Sequence, residues 1–181
     1  SPEQIWSVFF RRIDFQYYLP RAGHDYGIRT ADLTASGDTV YVPSVGIYPE
    51  TQAQDGYVFS CVGVVCHEMG HALGLPDLYD TTAPAGRVFA ESQGIGSWEL
   101  MASGTWNANG FVPAEFSAWA KVFMGWIQPV VVDRNGSVRL SAVERDRLTG
   151  VVKIPLSGDE YFLVENRCQD PNGDGRFNFE E

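Results

Sequence analysis

Apolar residues recur with two different periods along the chain, and the change between them marks out its elements. From residue 57 to 73 the run is rich in Val and small side chains and almost wholly apolar, which predicts a helix crossing the core. A second helical period follows, with Phe116, Trp119, Ala120 and Phe123 on one face. That helix is expected to start near Pro113, where a missing amide proton costs little, and to stop before Gly125. Its aromatic stripe reads as core rather than as a binding surface. Beyond Pro129 the runs become short and β-branched: Val130–Val132, Val138–Val143, Val151–Leu156 and Tyr161–Val164. An antiparallel sheet is expected there, with Asn135-Gly136 as the hairpin turn between its first two strands. Residues 1–50 read as irregular chain with strands at Thr39–Val42 and Val45–Tyr48, and the Gly-, Ser- and Asn-rich residues 81–112 as an extended loop around a cleft.

The few polar positions in the first helix carry the chemistry. His67-Glu68-Met69-Gly70-His71 places two imidazoles one turn apart on one helix face, so their nitrogens can converge on a metal ion with Glu68 beside them. Catalytic zinc usually takes three protein ligands and leaves one position for water. Gly74 permits a left-handed turn at the helix end, and Pro76 cannot let the helix continue. The chain is therefore expected to swing Asp77 back to the metal as third ligand, with Asp80 as the alternative. Chance would produce His67, Glu68, His71, Gly74 and Asp77 at these offsets in on the order of one chain in ten thousand.

Composition narrows the setting. At 181 residues and 44% hydrophobic, the chain can bury a substantial core, and no apolar run is long enough to span a membrane. A net charge of -10 disfavours nonspecific attraction to nucleic acid or anionic lipid. No basic, apolar signal opens the sequence, so a processed start or a segment boundary is expected. Three cysteines leave at least one thiol unpaired: Cys61 and Cys66 point to divergent helix faces, and either Cys61 pairs with Cys168 or the thiols stay free and buried. Cys66 adjoins His67 but points about 100° away from it on the helix, and reads as packing. His24, far from the motif, reads as a surface or structural histidine.

Longer stretches carry a family likeness. The segment Cys66–Asp80, the run Gly96-Ser97-Trp98-Glu99-Leu100-Met101-Ala102-Ser103-Gly104, and Ser117–Lys121 with Gly125-Trp126 resemble the immune inhibitor A family of secreted bacterial metalloproteases. Ile5-Trp6-Ser7 and Glu165-Asn166-Arg167 look like the outer limits of that family's catalytic core, so the likeness spans nearly the whole chain. It implies an α+β, zincin-like catalytic domain with a buried active-site helix, a second amphipathic helix and a C-terminal antiparallel sheet. Residues 1–128 would form the core and 129–181 a β-rich part of the same catalytic region. The implied activity is a secreted zinc endopeptidase acting on protein or peptide substrates, with zinc at His67, His71 and Asp77 and with Glu68 as the base toward zinc-bound water. Met101 would be either a methionine turn beneath the metal or ordinary core, and Tyr79 either an oxyanion donor or packing. The competing readings are a noncatalytic zinc module that binds host protein or glycan, and a zinc exopeptidase or amidase. Retention of Glu68 argues against the first, since a structural zinc site needs no base.

The tail carries a separate signal. Residues 170–181 match a twelve-residue calcium loop, with oxygen side chains at Asp170, Asn172, Asp174, Asn178 and Glu181, the backbone carbonyl of Arg176 at the seventh position and glycine at the sixth. This predicts a structural calcium site in an insertion without flanking helices.

Overall fold

The computed structural model describes residues 7–18, 27–48, 60–81, 92–146 and 150–168. Ile5, Trp6 and His24 lie outside the described residues, as does the whole candidate calcium loop at 170–181. The chain divides into two compact units, Ser1–Glu115 and Phe116–Glu181, each mixing helix and strand.

In the first unit, β1 (Val8–Phe10) pairs antiparallel with β4 (Val45–Ile47), and β2 (Ile28–Leu33) with β3 (Thr39–Val42) across a bulge. The strands expected from residue 39 and from residue 45 are therefore present, while β1, β2 and the short helix α1 (Arg12–Tyr18) carried no clear period. Asp14 starts α1 by reaching back to the Arg11 amide, which donates to its carboxylate at 2.7 Å. Within the loop-like stretch 92–112, two 3-10 helices form at Gly96–Trp98 and Ser103–Gly110.

Helix α2 runs from Val62 to Ala72, later than the residue-57 start expected; residues 57–59 lie outside the described residues. Ser60 stands before it and accepts the Val62 amide on its hydroxyl at 3.1 Å, which ends the helix there by satisfying a first-turn donor. The helix is buried on one face only. Gly63, Val64, His67, Glu68 and Gly70 are covered, whereas Val62, Met69 and Leu73 are each more than half exposed. Gly63 explains the close packing: a Cβ there would lie 1.9 Å from the Thr105 carbonyl oxygen, so only glycine lets the second 3-10 helix approach.

The second unit departs further from expectation. Helix α3 spans Ala118–Phe123, not Pro113 onward, because Ser117 is the cap: its backbone is extended and its hydroxyl accepts the Ala120 amide. Phe116 thus falls outside the helix and packs on Trp126 at 5.3 Å, and Phe123 is 58% exposed. The buried residues of α3 are Ala118, Ala120 and Lys121 rather than the aromatic stripe. Nor is the sheet wholly antiparallel. β5 (Val130–Val131) pairs parallel with β6 (Val151–Pro155), which pairs antiparallel with β7 (Tyr161–Glu165). Residues 138–143 form no strand, only a bridge from Ala142 to Asn166. The Asn135-Gly136 hairpin is absent: neither residue has the positive φ that such a two-residue turn needs, and the strand before it pairs with β6 instead. Ala118, Ile127 and Val151 make the core, with Val122 and Leu163 packed against it.

Candidate metal centre

The end of α2 shapes the site. Gly74 adopts φ +101°, its amide donates to His71 O at 2.9 Å, and the Leu75 amide donates to Gly70 O at 3.0 Å. This paired pattern closes a helix on a left-handed glycine. It leaves Leu75 buried and its carbonyl turned toward the helix, where His71 Nδ1 donates to it at 2.8 Å. His67 Nδ1 donates in the same way to the Leu100 carbonyl at 2.8 Å. A carbonyl only accepts, so both Nδ1 atoms carry a proton and both rings present Nε2 to a common point. The rings stand 4.8 Å apart and almost perpendicular.

Asp77 occupies the other side of that point. Its Oδ1 lies 3.1 Å from His67 Nε2 and 3.3 Å from His71 Nε2. Among the described residues, His67, His71 and Asp77 form the one group of donors able to share a metal ion, with ligand atoms within 4.8 Å of one another. Two imidazoles and one carboxylate are a donor set suited to zinc, and the set stops short of the four protein ligands of a structural site. Asp80, the alternative, is outside the group; its amide is tied to the Ser92 carbonyl at 3.1 Å.

The electrostatics follow from proximity without a cation. Burial opposes ionisation of Asp77, but hydrogen bonds and charge from His67 and His71 hold its carboxyl far below the usual range. Burial likewise disfavours charge on His71, yet the Asp77 contact, the Leu75 carbonyl and the Asp77 and Glu68 charges raise it above its ordinary value. For Glu68, burial is the largest influence and pushes the carboxyl up, aided by Asp77; the two histidines and a hydrogen bond from the Phe9 amide pull the other way. Burial, with the Asp77 and Glu68 charges adding to it, pushes the Tyr79 phenol up to about 12.

These groups line a cleft of about 520 Å³, whose other wall comes from β1 and α1 through Val8, Phe10, Asp14 and Tyr18. Met101 is fully buried, and the chain around it braces the centre, since Leu100 O accepts from His67 and Met101 O from the Leu78 amide. Residue-type reasoning had no access to the Leu75 and Leu100 carbonyls or the Phe9 amide, because backbone partners leave no signature in a side chain. Tyr79, the expected candidate donor, lines the cleft with His67, Glu68 and Asp77. Cys61, Cys66 and Cys168 are half-buried, and none is joined to another by a disulfide.

Residues 23–127 match the model of the immune inhibitor A peptidase M6 catalytic domain. That span is more than half of the chain and contains the whole His67–Asp77 group, and the chain belongs to this family. A pre-pro-metalloprotease, PrtV, of Vibrio cholerae serotype O1 is 40% identical over 67 residues, 36% of this chain and 7% of that protein. Immune inhibitor A of Bacillus thuringiensis subsp. alesti is 39% identical over 80 residues, 40% of this chain and 11% of that relative. The matched stretch is thus a small part of either relative's length. No solved structure gives a significant match.

Proposed function

We propose that the chain carries the zinc centre of a secreted endopeptidase that hydrolyses peptide bonds in proteins, with His67, His71 and Asp77 as ligands and Glu68 as general base. The observation that carries this reading is the convergence of two Nε2 atoms and one carboxylate oxygen on a shared point, with a buried carboxylate directly adjoining the set. Zinc bound there would polarise the scissile carbonyl and acidify a water molecule. Glu68 would take up the proton released and pass it to the leaving amine, and burial, which raises its carboxyl above the ordinary value, suits it to hold that proton. Asp77 stays ionised to serve as ligand, and the Leu75 and Leu100 carbonyls keep both imidazoles turned inward. An open cleft lined by polar and apolar side chains together suits a polypeptide segment as substrate. Secretion is supported by the relative named as a pre-pro-metalloprotease.

Casein digestion tests the reading. Cleavage should vanish on chelation, return with added zinc, and be absent in Glu68→Ala at equal zinc content. Proteolysis that survives both chelation and Glu68→Ala would overturn it.

A further inference from the structure

We infer that Glu99 is a positioning residue for His67, acting through the peptide group that joins Leu100 to Met101. The inference rests on the metal-centre reading above. Glu99 is 0% exposed, and a carboxyl group taken wholly out of water costs free energy unless its oxygens are partnered. One partner is the Met101 amide, which donates to Glu99 Oε1 at 3.1 Å.

The backbone of residue 99 is anchored independently of that bond. It is extended, with φ -137° and ψ 134°, where the first 3-10 helix ends, and its carbonyl accepts both the Ala102 and the Gly104 amides at 3.1 Å. A Cβ on Gly104 would lie 2.5 Å from that carbonyl oxygen, so glycine is needed for the close approach. From this fixed base the Glu99 side chain returns to the peptide plane one residue on. A trans peptide directs its N–H and its C=O to opposite sides of one plane. The plane that carries the Met101 amide also carries the Leu100 carbonyl, to which His67 Nδ1 donates at 2.8 Å. Glu99 Oε1 therefore fixes the rotation of the plane, and with it the aim of the carbonyl at the imidazole. Consecutive hydrogen bonds through one peptide also polarise each other, so the grip on the amide strengthens the carbonyl as acceptor. His71 supplies an internal contrast. Its Nδ1 donates to Leu75 O at 2.8 Å, a carbonyl presented by the left-handed helix end and not by residues 99–101.

Glu99→Met keeps the length of the side chain and removes the acceptor, whereas Glu99→Gln keeps an acceptor of reduced strength. In metal-free Glu99→Met, the His67 Nδ1 proton followed by NMR should exchange with water faster than in the wild type, while that of His71 keeps its rate. Zinc affinity by chelator competition should fall by roughly 10–100-fold, the range for losing an outer partner of a ligand imidazole, and Glu99→Gln should restore most of it. Equal acceleration at both histidines would mean general loosening and would overturn the inference, as would wild-type zinc affinity in Glu99→Met. Should Glu99→Met not fold, Glu99→Gln decides alone: its weaker acceptor should move the His67 Nδ1 proton resonance upfield and leave that of His71 in place. An unmoved His67 resonance would overturn the inference. A wild-type chain that binds no zinc would overturn the metal-centre reading, whereas the metal-free ring-proton comparison tests the link from Glu99 to His67 by itself.

Discussion

Both compact units bury apolar side chains, Phe15, Val64, Leu75 and Met101 among them in the first, but they differ in what surrounds the bonds that matter most to each. In the first, directional polar bonds join residues far apart in sequence: His67 to Leu100, Leu78 to Met101 and Ser60 to Asn109. In the second, a small apolar cluster of Ala118, Ile127 and Val151 lies with Val122 and Leu163, beside a hairpin closed by Leu156 and Glu160. Burial is roughly proportional to area and indifferent to direction, so it can hold a sheet without fixing any single atom. Hydrogen bonds weaken steeply off-axis and so fix atoms to fractions of an ångström. A metal centre needs the second kind of support, and at the candidate site the bonds from His67 to Leu100 O and from Leu78 to Met101 O supply it.

Substitutions should therefore separate metal binding from stability. His71→Ala removes a donor from the converging set, so zinc affinity should fall by more than the ~10–100-fold typical of outer partners, whereas the metal-free melting temperature, measured above the raised His71 value where the ring is neutral, should move little. Val151→Ala should do the reverse. That side chain is 1% exposed, and its loss should cost about 2 kcal/mol of stability with zinc affinity intact. Equal effects of both changes on melting and on zinc titration would dissolve the contrast. Gly63→Ala probes the boundary between the two behaviours. The new Cβ would meet the Thr105 carbonyl, which belongs to backbone and cannot rotate away, so α2 must shift. A loss of about 1–3 kcal/mol is expected, accompanied by weaker zinc binding because the helix carries both histidines.

Acidity should act on the first unit through His71. Its folded-state value is raised, against burial, by Asp77 and the Leu75 carbonyl. In the metal-free protein the protonated ring therefore contributes stability fully below its ordinary value of 6.5, and this is lost as pH rises through the raised value. Zinc needs the deprotonated Nε2, so the sign for affinity is opposite: binding should weaken as pH falls, by about one log unit per pH unit for this one proton, and level off above the raised value. Competition titrations over roughly pH 5–8 would check this, and a flat profile would remove His71 from the ligand set.

The same contrast explains what could be read in advance. The spacing of His67, His71, Gly74 and Asp77 translates directly into geometry, because helical periodicity and a left-handed glycine leave few alternatives over eleven residues. The strands from residues 39 and 45 were legible through their alternation, and the α+β class with them. In the second unit the signals competed. The start expected at Pro113 gave way to one four residues later, where the Ser117 hydroxyl accepts the Ala120 amide and caps the helix. Asn135-Gly136 is a strong turn signal only when the flanking strands pair with each other, and Val130–Val131 instead pairs with Val152–Lys153. Pairings over twenty residues depend on which surface is buried against which, and a local pattern does not encode that choice.

The smallest expected effect lies where the first unit bears strain. Inside the second 3-10 helix, Ala108 has φ 47° and ψ 43° and Asn109 φ 57° and ψ 35°, both left-handed. Asparagine tolerates that region through local hydrogen bonding, but alanine gains nothing to offset its Cβ clash. The strain is retained because the turn delivers the Asn109 carbonyl to the Ser60 amide at 2.9 Å, just before α2 begins. Ala108→Gly should relieve about 1–2 kcal/mol of backbone cost while losing roughly 0.4–1 kcal/mol to the freer unfolded chain. A net gain of a few tenths to about 1 kcal/mol is expected in denaturant midpoint, with unchanged zinc affinity because the Ser60 bond persists. The comparison residue is Asn109: its replacement by glycine should give little or no gain. If both glycines stabilise equally, left-handed backbone alone sets the cost and the side chain of Asn109 contributes nothing to holding the turn that precedes α2.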